Sequence, residues 1–313
     1  MVRLIAFGLV LAAGAVAFAA TRAAEPARPL LWKVERPGHP TAWLFGTIHV
    51  PDPRVLALPA IVRDALASAD RLVTEIPLDA EAQLAVAGAL MLPPDARLRD
   101  ILGPERFSRL VATIRAAVDD EAPLVGAAVV GALDRLKPWA AMAQLAMVEY
   151  LPDLLAGRPS LDARLHADAH AAGKALSALE TVDEQAGVFD VFSLDQQLAL
   201  LDSALDQAED AAASGSVLPG RLLVDRYLTG DADALEHALD AQAPKDAALA
   251  RKFEQALLHD RNVRMAERFD ALRQAHPEEV FFVAVGTLHL VGEGSLPTLL
   301  ADRGYRVTRV TPP

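Results

Sequence analysis

Two copies of a Gly-Thr-x-His sequence stand near opposite ends of the chain, at 46–49 and 286–289. Each copy directly follows an apolar run that predicts a β-strand, at 42–45 and 280–285. Glycine lets the backbone turn sharply, threonine offers a hydroxyl that can orient a neighbour, and histidine offers an imidazole nitrogen for a metal or a proton. The motifs therefore predict a pair of functional imidazoles at two strand ends. These histidines and their supporting residues are His49, His289, Gly46, Thr47, Gly286 and Thr287.

A carboxylate follows a third predicted strand. Residues 71–76 form a short β-like run that Pro77 stops, and Glu75 lies near its end. Because ligands bind at the carboxyl ends of strands in α/β sheets, His49, Glu75 and His289 converge if the three strands are neighbours. Two imidazoles and a carboxylate suit a divalent metal with an open position for water, which the metal would activate. A further carboxylate would then serve as the general base. The alternative is two turn histidines at similar strand-to-loop joints.

The composition narrows the chemistry that is open to the chain. It has 313 residues and no cysteine, which excludes disulfides, thiolate metal sites and cysteine nucleophiles. A metal must therefore be held by histidine, carboxylate or amide groups, and only 8 histidines are present. With 30 Lys+Arg against 42 Asp+Glu, the net charge is -12. Nucleic acid is disfavoured as a partner because phosphate contacts need a basic surface.

The N-terminus has the pattern of a secretory signal peptide at 1–24. Arg3 is followed by an apolar run at 4–20, Ala-Phe-Ala at 17–19 fits a cleavage site, and Pro26 then breaks any helix. The alternative is that the run is retained as a membrane anchor. No later stretch is long and apolar enough to span a membrane. We therefore expect a periplasmic or secreted protein without a membrane span after the leader is cleaved.

The rest of the chain, 25–313, is predicted to form a single domain of the α/β (α+β) class. Both ends have the order strand, Gly-Thr-x-His, Leu-Pro step into a helix, strand. These two units are expected to lie side by side in one central mixed sheet, with a large, mostly helical insertion at about 79–275 packed over it. Within the insertion, 174–179 predicts a further strand. The segment 207–216 is acidic and then rich in Ala, Ser and Gly, which favours an internal loop.

The motifs and the segments between them resemble the TraB/GumN family, which is related to the Tiki-type metalloproteases and more distantly to the erythromycin-esterase and ChaN-like proteins. The resemblance covers about 30–310. It rests on Leu-Trp-Lys-Val at 31–34, Phe-Gly-Thr-Ile-His at 45–49, Thr-Glu at 74–75, Lys-Pro-Trp at 137–139, Gly-Lys at 173–174, Leu-Glu-Thr at 179–181, Glu-Gln at 184–185, Arg-Asn at 261–262, Val-Ala-Val-Gly-Thr-Leu-His at 283–289 and Gly-Tyr-Arg-Val at 304–307.

This resemblance implies a metal-dependent hydrolytic site made of two Gly-x-x-His motifs and a glutamate, with peptide cleavage established for the Tiki-type relatives. It places His49, His289 and Glu75 at a divalent metal, for which Mn, Co and Zn are the candidates. Glu75 is also a candidate for the catalytic base.

Three further residues come from matching the family pattern. Glu180 is expected to be a second carboxylate or the base, Arg261 a clamp for an oxyanion or carboxylate, and Asn262 a neutral metal ligand. The alternatives are a helix-capping role for Glu180 and capping or packing roles for Arg261 and Asn262.

A second histidine pair, His166 and His170, has the spacing of one helix face, which could bind a metal. Asp168 and the neighbouring alanines favour a solvated face instead. Neither histidine matches the family pattern.

The leading functional hypothesis is an exported metal-dependent hydrolase, peptidase-like, that acts on a peptide or protein. One alternative is a non-catalytic periplasmic binding or regulatory protein for a peptide or polysaccharide. The other is an esterase-type hydrolase.

Overall fold

Six strands form one mixed sheet in the computed structural model, which describes residues 28–116, 123–241 and 243–311. Across the sheet the order is β4-β3-β5-β2-β1-β6. β4, β3, β5 and β2 run parallel, and β1 is antiparallel to both of its neighbours. This sheet and the helical majority confirm the predicted α/β class. The strands are β1 (Leu31–Glu35), β2 (Ala42–Thr47), β3 (Arg71–Thr74), β4 (Ala175–Ala178), β5 (Phe281–Gly286) and β6 (Arg306–Arg309).

The two ends of the chain meet in the middle of this sheet, as predicted. β2 pairs with β5 so that Thr47 lies opposite Gly286, and β3 pairs with the other edge of β5. The strands that precede Glu75, His289 and His49 are therefore neighbours in the sheet, in the order β3, β5, β2. Five of the six residues of β5 are buried, which suits its unbroken apolar sequence and its central position.

Helices make up most of the chain between β3 and β5. Short 3-10 turns at Val148–Tyr150 and Val188–Val191 and a π-helical turn at Gln255–His259 join or extend them, and a further 3-10 turn at Thr287–His289 follows β5. The α-helices are α1 (Pro53–Leu56), α2 (Ala60–Ser68), α3 (Ala80–Leu90), α4 (Leu98–Ala116), α5 (Pro123–Leu133), α6 (Pro138–Ala146), α7 (Leu151–Leu155), α8 (Leu161–Ala171), α9 (Val182–Gly187), α10 (Leu194–Ser214), α11 (Pro219–Thr229), α12 (Ala232–Asp240), α13 (Ala247–Glu254), α14 (Asp260–Ala275) and α15 (Leu296–Asp302).

The sheet and the helical insertion each have an apolar core. Around the sheet, buried side chains of the strands pack with residues of α14 such as Met265 and Phe269. A second cluster joins α4, α5, α6 and α10 through residues such as Leu110 and Leu201. Trp139 of α6 belongs to this cluster, where it stacks on Phe189 with the ring centroids 4.3 Å apart. The helical segment therefore packs on itself as well as on the sheet.

The predicted loop at 207–216 is wrong, because α10 continues through it to Ser214. Ala208 and Ala211 are buried on the helix face, and alanine favours helix. Arg109 of α4 forms salt bridges with Asp206 at 2.7 Å and Glu209 at 2.8 Å, so part of the acidic charge is neutralised on the surface of the helix. The chain leaves the helix only at 215, where glycine has a φ of 64°.

In the described part of the chain, no helix has the length and apolar character needed to cross a membrane. The predicted signal peptide at 1–24 lies outside the described residues.

We predict that Gly46→Ala destabilises the protein by about 1–3 kcal/mol, the usual cost of overpacking a core. A Cβ atom at this position would lie 2.8 Å from Thr287 Oγ1 and 3.1 Å from Leu30 Cβ. Urea unfolding measures the loss. Gly88→Ala in α3 is the matched control, since nothing lies within 4 Å of its Cβ position, and it should be neutral or stabilising. Equal effects of the two substitutions would contradict the assigned packing.

Candidate functional site

Three predicted side chains meet at the carboxyl ends of β2, β3 and β5. Glu75 Oε1 lies 4.0 Å from His49 Nε2 and 3.9 Å from His289 Nε2. Glu75 and His289 are buried, whereas the His49 side chain is 46% exposed. Solvent therefore reaches this group of side chains through His49.

Each imidazole is held at its Nδ1 atom by a polar side chain from the helical segment. His49 Nδ1 lies 2.7 Å from Asp162 Oδ2, and Asp162 Oδ1 accepts a 2.7 Å hydrogen bond from Thr47 Oγ1. His289 Nδ1 lies 2.6 Å from Asn262 Oδ1, while Asn262 Nδ2 donates to the Gly294 carbonyl oxygen at 2.9 Å. Because both partners are oxygen acceptors, each Nδ1 carries the proton and each Nε2 faces Glu75.

Glu75 is fixed through both of its carboxylate oxygens. Oε2 accepts from Arg261 at 2.6 Å and from Gln185 Nε2 at 2.8 Å, and Oε1 accepts from the Gly286 backbone N–H at 2.5 Å. These donors come from α14, α9 and β5. Only Oε1 faces the two imidazoles.

Glu180 lies behind Arg261, with its side chain completely buried. Arg261 donates to Glu180 Oε2 at 2.7 Å and 3.0 Å, and Arg264 donates to Oε1 at 3.2 Å. The alternative capping role of Glu180 is not what the structure has, because Thr181 caps α9 in a capping box with Glu184. Glu180 instead holds the Arg261 guanidinium group, which also donates to Glu75.

The electrostatics distinguish the three central groups. Burial alone would raise the pKa of Glu75, but the Arg261 guanidinium and the imidazoles lower it well below its usual range, so Glu75 is ionised. Burial lowers the pKa of His289 to about 4, so this imidazole is neutral at pH 7. The Asp162 carboxylate raises the pKa of His49 to about 9. The metal-free site therefore pairs one neutral imidazole with one charged imidazole.

Glycine at 286 leaves the space between these donors open. A Cβ atom there would lie 3.0 Å from Glu75 Oε1, 3.6 Å from His49 Nε2 and 3.7 Å from His289 Cδ2. A side chain at this position would fill part of the volume that the three groups surround. Gly46, in the other motif, meets Thr287 instead.

The donors fit a divalent metal in their chemistry. Two imidazole Nε2 atoms and a carboxylate oxygen face the open volume, and both Nδ1 atoms have the oxygen partners typical of metal-binding histidines. Within residues 28–116, 123–241 and 243–311, no three His, Cys, Asp or Glu side chains are close enough to hold a metal as they stand. Glu75 Oε1 lies 4.0 Å from His49 Nε2 and 3.9 Å from His289 Nε2. Both distances are longer than the roughly 3.4 Å that separates two ligand atoms of a tetrahedral zinc ion.

Three supporting side chains were not singled out as site residues from the sequence. Gln185 lies in one of the segments that carry the family resemblance, but Asp162 and Tyr227 have no local signal. Tyr227 of α11 donates to the Gly46 carbonyl oxygen at 2.9 Å across 181 residues of sequence. The separate pair His166 and His170 lies on α8 with ring centroids 6.5 Å apart, and His170 is exposed.

Comparison with known proteins identifies the family. The model of the TraB/PrgY/gumN family matches residues 30–309. This chain belongs to that family. Curated relatives include metalloprotease TIKI2 of Xenopus tropicalis, which is 29% identical over 90% of this chain and 60% of the relative. Metalloprotease TIKI1 of Danio rerio is 28% identical over 88% and 62%, and metalloprotease TIKI1 of Homo sapiens is 25% identical over 88% and 61%.

The chain spans about three fifths of the length of these TIKI relatives. No solved structure matches it.

We predict that Arg261→Met destabilises the protein by about 3–5 kcal/mol, because it removes the partner of two buried carboxylates. Arg268→Met is the matched control. It breaks the more exposed pair with Glu184 and should cost less than about 1 kcal/mol. Chemical denaturation in the presence of chelator measures both losses. A similar loss of unfolding free energy in the two variants would show that the buried ion pairs contribute no more to stability than the exposed pair.

We also predict opposite pH effects of the two imidazoles on the stability of the chelator-treated protein. Between pH 6.5 and about 4 the unfolded chain protonates its histidine while buried His289 stays neutral, so stability falls as the pH falls. Between pH 6.5 and about 9 folded His49 keeps a proton that the unfolded chain loses, so stability falls as the pH rises.

Unfolding free energies measured from pH 4 to pH 9 test this prediction. His289→Gln should remove up to about 3 kcal/mol of acid sensitivity, and His49→Gln should flatten only the alkaline arm. Unchanged slopes in both variants would contradict the assigned charge states.

Proposed function

We propose that this chain is an exported metal-dependent hydrolase that acts on a peptide or protein. The single observation that carries the proposal is the convergence of His49 Nε2, His289 Nε2 and Glu75 Oε1 on the open volume at Gly286. The metalloprotease names of the TIKI relatives support the reaction class.

His49, His289 and Glu75 would hold the divalent ion, for which Mn, Co and Zn remain the candidates. When bound, such an ion lowers the pKa of a water molecule and polarises a carbonyl group. The protein's own contribution is to fix both imidazoles through Nδ1 and to keep Glu75 ionised. His49, the exposed member, lies on the side from which a substrate can approach.

The other predicted site residues take supporting roles in this proposal. Asn262 orients His289 and is not assigned as a ligand, since both polar atoms of its amide already have partners. Arg261 holds Glu75 and Glu180, so its guanidinium group is not free to act as an oxyanion clamp. Glu180 is bound on both oxygens by guanidinium groups. Glu75 is also bound on both oxygens, but its Oε1 faces the imidazoles, so of the two carboxylates it is Glu75 that is placed to act at the ion.

The sequence supports the location and extent of the proposed enzyme. The leader pattern at 1–24 favours export to the periplasm or beyond, and 25–313 then forms a single domain with a helical insertion at about 79–275. The net charge of -12 disfavours nucleic acid as a partner.

We predict that the purified protein cleaves members of a broad peptide library and that chelator abolishes the cleavage. His289→Ala and Glu75→Gln should each reduce the rate at least about 100-fold, because each removes a group at the reacting centre. Mass spectrometry of the library reports the products, and elemental analysis reports the bound metal. His237→Ala is the matched control, since His237 is exposed and bonds only its own helix.

Cleavage that survives both substitutions and chelator would contradict the metal-dependent mechanism. Retention of a peptide or glycan without turnover under Mn, Co or Zn would favour the binding-protein alternative. Turnover of esters with no peptide product would favour the esterase alternative.

A further inference from the structure

The two motif histidines are held by groups that differ in charge. His49 Nδ1 contacts a carboxylate, Asp162 of α8, whereas His289 Nδ1 contacts a neutral amide, Asn262 of α14. The Asp162 side chain is only 9% exposed, and each of its oxygens has a partner. A buried charge is costly unless its hydrogen bonds are satisfied, and here residues of the first motif satisfy both oxygens.

We propose that Asp162 is a positioning residue that aims His49 at the metal and sets the affinity of the site for a divalent cation. The inference rests on the proposed function and deepens it, because it assigns the control of metal affinity to a residue outside the two motifs. Carboxylate partners of metal-binding histidines fix the ring and strengthen it as a donor.

The spacing within the first motif supports this role. Thr47 and His49 are two residues apart and contact the same carboxylate. Thr47 Oγ1 lies 2.7 Å from Asp162 Oδ1, and His49 Nδ1 lies 2.7 Å from Asp162 Oδ2. The threonine hydroxyl therefore fixes the rotation of the Asp162 carboxylate, and the carboxylate fixes the imidazole. In the second motif, Thr287 Oγ1 is buried and has no hydrogen-bond partner among the described residues.

The position of Asp162 on its helix makes the charge tolerable. Ser160 caps α8, and Asp162 lies in the first turn of the helix. A carboxylate is stabilised there by the helix dipole and the free backbone N–H groups. The chain thus places a fixed negative charge 2.7 Å from the outer nitrogen of the exposed imidazole.

The charges around the imidazoles lead to the same role. The ion pairs around the imidazoles include three carboxylates, Glu75, Asp162 and Glu180, and two guanidinium groups, Arg261 and Arg264. These five groups carry one excess negative charge, which the His49 proton balances in the metal-free site. A bound cation would replace that proton, because a histidine must be neutral to donate Nε2 to a metal. Neutralising Asp162 would remove that excess without touching a donor that faces the metal.

The test is Asp162→Asn, which keeps the size and an acceptor oxygen but loses the charge. Titration with Mn²⁺ alone in a calorimeter gives the affinity, and ¹⁵N NMR of the metal-free protein gives the protonation pattern of each imidazole. Asp168→Asn is the matched control, because Asp168 lies on the same helix, is exposed and pairs only with Arg164. Thr47→Val, which leaves the charge in place, is the second variant.

We expect Asp162→Asn to weaken Mn²⁺ binding about 10–100-fold, Thr47→Val to weaken it less, and Asp168→Asn to leave it unchanged. The ring signals of His49 should shift in Asp162→Asn while those of His289 stay in place. Wild-type Mn²⁺ affinity together with an unchanged His49 spectrum would overturn the inference.

The spectrum separates this inference from the proposed function. If the wild-type protein binds none of Mn²⁺, Co²⁺ and Zn²⁺, the proposed function fails. An altered His49 pattern in Asp162→Asn still supports the positioning role in that case, and an unaltered one rejects it. If Asp162→Asn does not fold, Thr47→Val decides by the same two measurements.

Discussion

Glu75 carries a negative charge at a place almost closed to water, and the architecture of the site depends on keeping it there. Burial disfavours the ionised form, and only a close cation with well-formed hydrogen bonds offsets that cost. Arg261 supplies the cation, but a buried guanidinium needs partners of its own. Glu180, fully buried and shared with Arg264, provides them. The buried Glu75 carboxylate is therefore accompanied by a second carboxylate and two arginines, which ties β3 to α14 through the segment after β4.

Different parts of the chain supply the side chains that face the open volume and the side chains that hold them. The side chains that face the open volume, His49, Glu75 and His289, follow strands built from the two ends of the sequence. The side chains that orient them come from the helical segment, Asp162 from α8 and Asn262 from α14. Strand ends give donors a rigid origin, and helices that pack over them deliver a second layer of polar groups at fixed positions. The insertion is thus part of the site.

The sequence predicts which strand-end side chains converge, but it does not predict the side chains that orient them. Apolar runs indicated the strands, and the repeated motif indicated the histidines, because both signals are local. Asp162 contacts His49 across 113 residues, and neither its type nor its neighbours distinguish it from other acidic residues in a first helical turn. The same limit applies to the segment 207–216, where Glu209 pairs with Arg109, far away in the sequence. Such contacts depend on tertiary packing, which no local pattern encodes.

The two motif copies are alike in sequence and unlike in environment, and the strand register accounts for the difference. Thr47 lies opposite Gly286, so the copies are staggered by one residue between β2 and β5. As a result Gly286 borders the volume between the three donors, while Gly46 lies against the Thr287 hydroxyl. Both glycines are needed, one for space at the site and one for close packing behind it. His49 is exposed whereas His289 is buried, so a repeated sequence yields one imidazole open to solvent and one held in the interior.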